Sequence, residues 1–190
     1  MKAQTAMKMD NRVNGIDVGA LREVIEQVTH APEKGKVGFR VKSEWKGQTR
    51  SETTVDSYTM GGRKVARSFR VAVDEPFELL GQNTAPNPQE MLMTALNACV
   101  MVGYVAGAAV KGITLEKLEI ETHGELDLRG FLGIDPGVPA GYESIRYTVR
   151  IKGDGTHEQF REIHDNVMKT SPNYFNITRP VRIDATLAVE

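Results

Sequence analysis

One cysteine stands among the 190 residues, Cys99, within the uncharged run MLMTALNACVMVGYVAGAAV at 91–110. A thiol acts as nucleophile or redox centre through its thiolate, and apolar surroundings keep it protonated and inert. The bland role for such a residue is a small core hydrophobe. A chemical role needs a cation or base beside it. A cysteine in the middle of a helix gains little from the helix N-terminus, so arginines must supply the field, and the chain offers Arg50, Arg63, Arg67 and Arg70. Glu90 precedes Cys99 by nine residues. That is about 900° around a straight helix, half a turn away from the sulfur. Glu90 is therefore a helix cap, or reaches the sulfur only if the first turn bends.

The remaining titratable groups make weaker patterns. His30, His123, His157 and His164 share no ligand spacing beyond the i, i+7 pair 157 and 164, which a solvated helix face explains. With a single cysteine, no disulfide, zinc or iron–sulfur site is expected, and no other metal site. Asp74-Glu75-Pro76 ends a strand pattern and specifies nothing alone. Phosphate-cradling glycine loops, nucleotide fingerprints and nucleophile elbows are lacking, so no cofactor is expected. The 24 Lys and Arg nearly balance 25 Asp and Glu, without the basic surplus of a general nucleic-acid binder. A chain 40% hydrophobic and 26% charged is globular rather than disordered. The opening MKAQTAMKMDNRVNG has no apolar run of the secretory kind, and a lone thiol suits a reducing compartment. A cytoplasmic location is expected.

The elements that must position these residues read as follows. Residues 1–15 look like a loose polar arm. Asp17 caps an amphipathic helix through Val18, Leu21, Val24, Ile25 and Val28 that ends before Pro32. Strands are expected over 37–45, about 49–59 and about 65–73, with Met60-Gly61-Gly62-Arg63 supplying hairpin chemistry. After a loop over 78–86, Asn87, Pro88 and Glu90 open a long helix through a variant capping box, and Gly112 stops it. A long strand is expected over 114–128, a loop over 129–141, and a strand over 142–152. Thr156 and Gln159 cap a helix to about Lys169 that Pro172 closes, and a strand over 181–189 ends the chain.

Grouped strands and covering helices make an α+β fold, an antiparallel sheet around a long buried central helix. Two domains are expected: an N-terminal arm with one helix over 1–35, and the main domain over 36–190. The run at 91–110 is long enough to span a bilayer. Ala, Gly, Thr and Asn fill nine of its positions, however, and its flanks read as one-sided soluble strands. A buried helix without membrane contact is the expectation. One sheet cannot surround an uncharged helix, so a second copy of the chain should complete its cover.

Three segments, DEPFELLG at 74–81, NPQEMLMTALNAC at 87–99 and SPNYF at 171–175, resemble the OsmC/Ohr family of osmotically inducible and organic-hydroperoxide-resistance proteins. The resemblance covers about residues 38–190. It implies an intertwined homodimer with a peroxidatic cysteine on the central helix, held as thiolate by an arginine and a glutamate. On this chain Cys99 would be that cysteine, Glu90 the carboxylate and Arg50 the arginine. The family's resolving cysteine, in a late Cys-Pro pair, falls at Ser171, and serine cannot close a disulfide. The resemblance then implies a one-cysteine peroxidase that reduces organic hydroperoxides through a Cys99 sulfenic acid and an external thiol reductant. The alternative is a non-catalytic dimer holding an apolar small molecule at its interface. Phe131 and Leu132 on the 129–141 loop are expected to cover a neighbouring strand, or to lid the pocket.

Overall fold

The computed structural model describes residues 11–190. Most of the expected arm lies outside them. The chain divides into two compact units, one running to Thr94 and the other Ala95–Glu190.

In the first unit, residues expected to be a loose arm instead form a tight hairpin, β1 (Arg12–Val13) with β2 (Ile16–Asp17). Asn14 and Gly15 turn it with positive φ of 54° and 79°. Helix α1 (Val18–His30) follows, and the Asp17 carboxylate accepts from the Ala20 amide at 3.0 Å as its cap. The meander is then built on β5 (Ser51–Met60). One edge of β5 pairs with β6 (Arg63–Val73), and the other with β3 (Val37–Phe39) and β4 (Lys42–Trp45). The single strand expected over 37–45 is thus interrupted at Arg40 and Val41. The β5–β6 ladder also shifts register between Val55 and Ser57, and such irregularities bend a strand. Gly61 and Gly62 both take positive φ, 53° and 78°, as a two-residue type I′ hairpin requires.

Helix α2 (Pro88–Val110) begins in the first unit, and from Ala95 its residues belong to the second. It ends in a Schellman motif: Gly112, at φ 72°, donates to Ala109 O and Ile113 donates to Ala108 O. By length and composition α2 is the one helix among the described residues apolar enough to cross a membrane. Its stripe Leu96, Val100, Tyr104 and Ala108, at i, i+4 spacing, is buried in the core of the second unit. The opposite side stays open, with Val102 67% exposed. The helix expected to be buried all round is therefore covered on one side within its own chain.

That core is closed by β7 (Leu115–Gly124) paired antiparallel with β8 (Ile145–Gly153), and by α4 (His157–Thr170). Ile120, Ile145, Tyr147, Val149 and Ile151 pack against it. The outer face carries Glu119, Glu121 and Arg150 in ion pairs of 2.8 and 3.0 Å. This clean alternation marks a hairpin with one wet face. The approach of α4 to α2 depends on two glycines. A Cβ at Gly103 would lie 2.9 Å from Val167, and one at Gly107 3.1 Å from Ile163.

Several expectations fail in this unit. The strand expected to run to Leu128 ends at Gly124, because Asp127 caps a short helix, α3 (Leu128–Phe131), across the expected strand–loop boundary. Phe131 and Leu132, expected to cover a neighbouring strand or to lid a pocket, are both 61% exposed and so cover no strand within the chain. Pro172 does not merely end α4; it opens a further helix, α5 (Pro172–Thr178), with Ser171 as its N-cap. Residues 181–189 form no strand, since no neighbouring edge pairs with them. The strands consequently fall into separate antiparallel sheets rather than one.

Candidate functional site

Cys99 lies on α2, three residues from Leu96 on the buried stripe and partly open to solvent. Polar contacts pin the helix turn around it. Asn97 Nδ2 donates to Ile120 O at 3.5 Å, and Thr122 Oγ1 donates to Asn97 Oδ1 at 2.5 Å, tying the turn to β7. Asn173 Nδ2 donates to Ala95 O at 2.8 Å, tying it to α5. Ser171 stands where α4 ends and α5 begins, and is 6% exposed. Its hydroxyl donates to Cys99 Sγ at 3.4 Å, while its oxygen accepts from the Tyr174 amide at 3.4 Å. Two residues 72 apart in sequence thus meet, sulfur to hydroxyl, at the junction of three helices.

One turn further along α2, the Tyr104 hydroxyl is bonded to His164 Nδ1. Burial, with smaller contributions from Tyr147 and Asp165, pushes the phenol of Tyr104 up to about 12. It therefore stays protonated at any ordinary pH. Tyr104 and His164, with Tyr147, Val149, Ile151 and Phe160, line a recess of about 200 Å³. His164, expected only on a solvated helix face, is thus engaged at the core's edge. Nothing in the sequence spacing announces that contact across 60 residues. Among the described residues no group of His, Cys, Asp and Glu could hold a metal ion.

The other sequence candidates sit in the first unit. Arg50 closes the turn after β4, its amide donating to Gly47 O at 3.0 Å, with an exposed side chain. Arg63 opens β6. Arg67 lies over the rings of Phe69 and Tyr58 at 4.7 and 5.8 Å, and Arg70 pairs with Glu52 at 2.5 Å. Glu90 is engaged as a cap: its Oε2 accepts from the Asn87 amide at 2.8 Å, and its own amide donates to Asn87 Oδ1 at 2.8 Å. That reciprocal pair is the capping box read from the sequence.

Asp74, which the tripeptide alone left mute, organises the loop before α2. The carboxylate is fully buried. Oδ1 accepts from Thr49 Oγ1 and the Glu75 amide, and Oδ2 from Thr84 Oγ1 and the amides of Thr84 and Gln82, at 2.8–3.2 Å. Gly81 has no alternative here, since a Cβ would stand 1.8 Å from Glu75 O. Burial alone would raise the pKa of Asp74, but the hydrogen bonds from Thr84, Thr49 and Glu75 outweigh it and hold the carboxyl well below its ordinary range.

Glu75 shifts the other way. Its Oε2 is buried with no hydrogen-bond partner, and burial, then the charges of Asp74 and Glu90, raise its pKa. The folded state thus binds this proton more tightly than the unfolded chain. The charged form costs stability progressively as pH rises above the ordinary 4.5. The lowered Asp74 contributes stability that is lost as pH falls below 3.8. Replacing Glu75→Gln should therefore raise Tm at pH 7 by roughly 1–3 °C, with the gain vanishing near pH 4. Thermal melts at the two pH values check this, and an unchanged or lower Tm at pH 7 contradicts it.

A sequence model of the OsmC-like proteins matches residues 81–186, more than half of the chain. The chain belongs to the OsmC-like family. The matched span holds Cys99, Ser171, Tyr104 and His164, and excludes the meander. The fold agrees. An OsmC-like protein from Mycoplasma pneumoniae superposes with TM-score 0.58 at 16% identity, over 74% of this chain and 86% of that one. A putative osmotic stress induced and detoxification response protein from Psychrobacter arcticus 273-4 gives 0.55 at 13% identity, over 70% and 84%. An OsmC-like hydroperoxide resistance protein from Jannaschia sp. CCS1 aligns more loosely, at 0.44 and 18%, over 80% and 93%. No curated protein matches the chain in sequence.

Proposed function

We propose that this OsmC-like protein is a one-cysteine, thiol-dependent peroxidase for organic hydroperoxides. The observation that carries the reading is Cys99, partly open on the central helix, with a buried hydroxyl donor at 3.4 Å and no second thiol in the chain. The Cys99 thiolate attacks the distal peroxide oxygen; the S–O bond forms as the O–O bond breaks. Sulfur is oxidised by two electrons, and the departing alkoxide takes a proton and leaves as alcohol. A sulfenic acid remains, which Ser171 cannot convert to a disulfide. One external thiol condenses with it, releasing water and giving a mixed disulfide. A second external thiol attacks that disulfide and restores Cys99. An arginine, Arg50 by the family resemblance, would stabilise the thiolate and the leaving alkoxide. The enzyme acts in the cytoplasm, where small thiols are kept reduced.

Cumene hydroperoxide consumption, followed with dithiothreitol as reductant, tests this. Cys99→Ser is expected to lose all turnover above the uncatalysed background. Equal rates in the two proteins would end the proposal. The recess beside Tyr104 favours a second reading, a non-catalytic binder of a small apolar molecule. On that reading the wild-type thiol reacts with hydroperoxide no faster than free cysteine at the same pH.

A further inference from the structure

We propose that Ser171 is a positioning residue for Cys99, fixing the sulfur's orientation and stabilising its ionised form through the hydroxyl proton. This rests on the reading of Cys99 as a reactive thiol. Three observations lead to it. The Ser171 side chain is 6% exposed, so solvent does not compete for its proton. Its oxygen is already committed as acceptor to the Tyr174 amide. Among the described residues its proton goes to Cys99 Sγ. The residue is also held rigidly, since its backbone closes α4 through Val167 O at 2.9 Å while its side chain opens α5.

The direction of the effect follows from the chemistry of sulfur. A neutral thiol is a weak acceptor, whereas a thiolate accepts strongly. A donor fixed at 3.4 Å therefore favours the anion over the thiol. In a two-cysteine cycle a side chain here would form a bond to sulfur; in this chain it prepares the sulfur and then leaves the oxidised form for a thiol from outside.

The test measures the rate of Cys99 alkylation by iodoacetamide in the full chain, at pH 7 and at pH 10. Ser171→Ala is expected to slow alkylation at pH 7 by about three- to ten-fold, the net scale of one ordinary side-chain hydrogen bond. At pH 10, where thiols are ionised in any case, the difference should vanish. Ser171→Thr, which keeps the hydroxyl, should restore the pH 7 rate. Because Ser171 also caps α5, Ser171→Gly serves as a second variant: glycine is tolerated at a cap but has no hydroxyl. Wild-type rates at pH 7 in the Ala and Gly variants overturn the inference. So does a loss that Thr fails to rescue, or one that persists undiminished at pH 10, since packing alone would then explain it. Alkylation needs no hydroperoxide, so a wild type inert to peroxide defeats the proposed function and leaves this measurement standing.

Discussion

Replacing Ser171→Cys should change the oxidised product from a sulfenic acid to an intramolecular disulfide. In the wild type, one equivalent of cumene hydroperoxide leaves Cys99 carrying oxygen until an external thiol arrives. In the variant the introduced thiol starts where the Ser171 hydroxyl meets Sγ at 3.4 Å. A disulfide needs sulfurs about 2.05 Å apart with a dihedral near 90°. The gap to close is therefore about 1.4 Å. Sulfur's longer bond to Cβ shortens it, and both residues lie at helix positions held by side-chain hydrogen bonds. The introduced sulfur attacks the sulfenic sulfur, and the hydroxyl leaves as water after taking a proton. Intact mass and thiol counting read the outcome directly: two thiols are lost, and no oxygen is retained. Diamide, which oxidises thiols without peroxide, should give the same bridge. A variant that keeps both thiols under diamide would show that the helices do not allow the two sulfurs to meet.

A second large effect concerns assembly. The protein is expected to be an obligate homodimer of about twice 21.0 kDa, without folded monomer on dilution. Among the described residues of the first unit a single apolar side chain, Val18, is buried. Phe39 and Trp45 of the meander are each 76% exposed, and Val102 shows the uncovered side of α2. The C-terminal segment adds Ile183, Leu187 and Val189, each more than 80% exposed and alternating with polar or small residues as in a strand that lacks its neighbour. Burying such surface contributes roughly 25 cal/mol per Å², and monomers rarely leave contiguous apolar patches beyond a few hundred Å². A second copy would offer both the missing cover and a strand edge. Sedimentation equilibrium at low micromolar concentration checks the mass. A monomer with unaltered circular dichroism would contradict the expectation.

What the sequence made legible was local. The Asn87–Glu90 and Thr156–Gln159 boxes, the Gly61-Gly62 turn and the Gly112 stop each depend on residues within a few positions, and each forms as read. The misreadings have physical causes too. Ser171-Pro172 carries both an N-cap and a first-turn proline, and a proline after one helix signals a stop and a new start alike. Asp127 was a cap signal inside an apparent strand. The alternation over 181–189 is real, but alternation makes a strand only when an edge receives it. Asp74 could not be singled out, because its donors Thr49, Gln82 and Thr84 are gathered by the turns and not by spacing. The pairing of Cys99 with Ser171 was suggested through resemblance alone, since 72 residues of intervening chain leave no periodic trace.

The glycine at 103 has a consequence for how such a protein diverges. It lies one turn beyond Cys99 on α2, and its missing side chain lets Val167 come close. Val167 O in turn receives the amide of Ser171. The spacing between hydroxyl and sulfur is thus inherited from a residue that has no functional group at all. A methyl gained there would displace the end of α4 and retune the thiol without altering either partner. If Cys99 is the reactive thiol proposed above, lineages could in this way drift in redox rate through a packing position, with Cys99 and Ser171 unchanged.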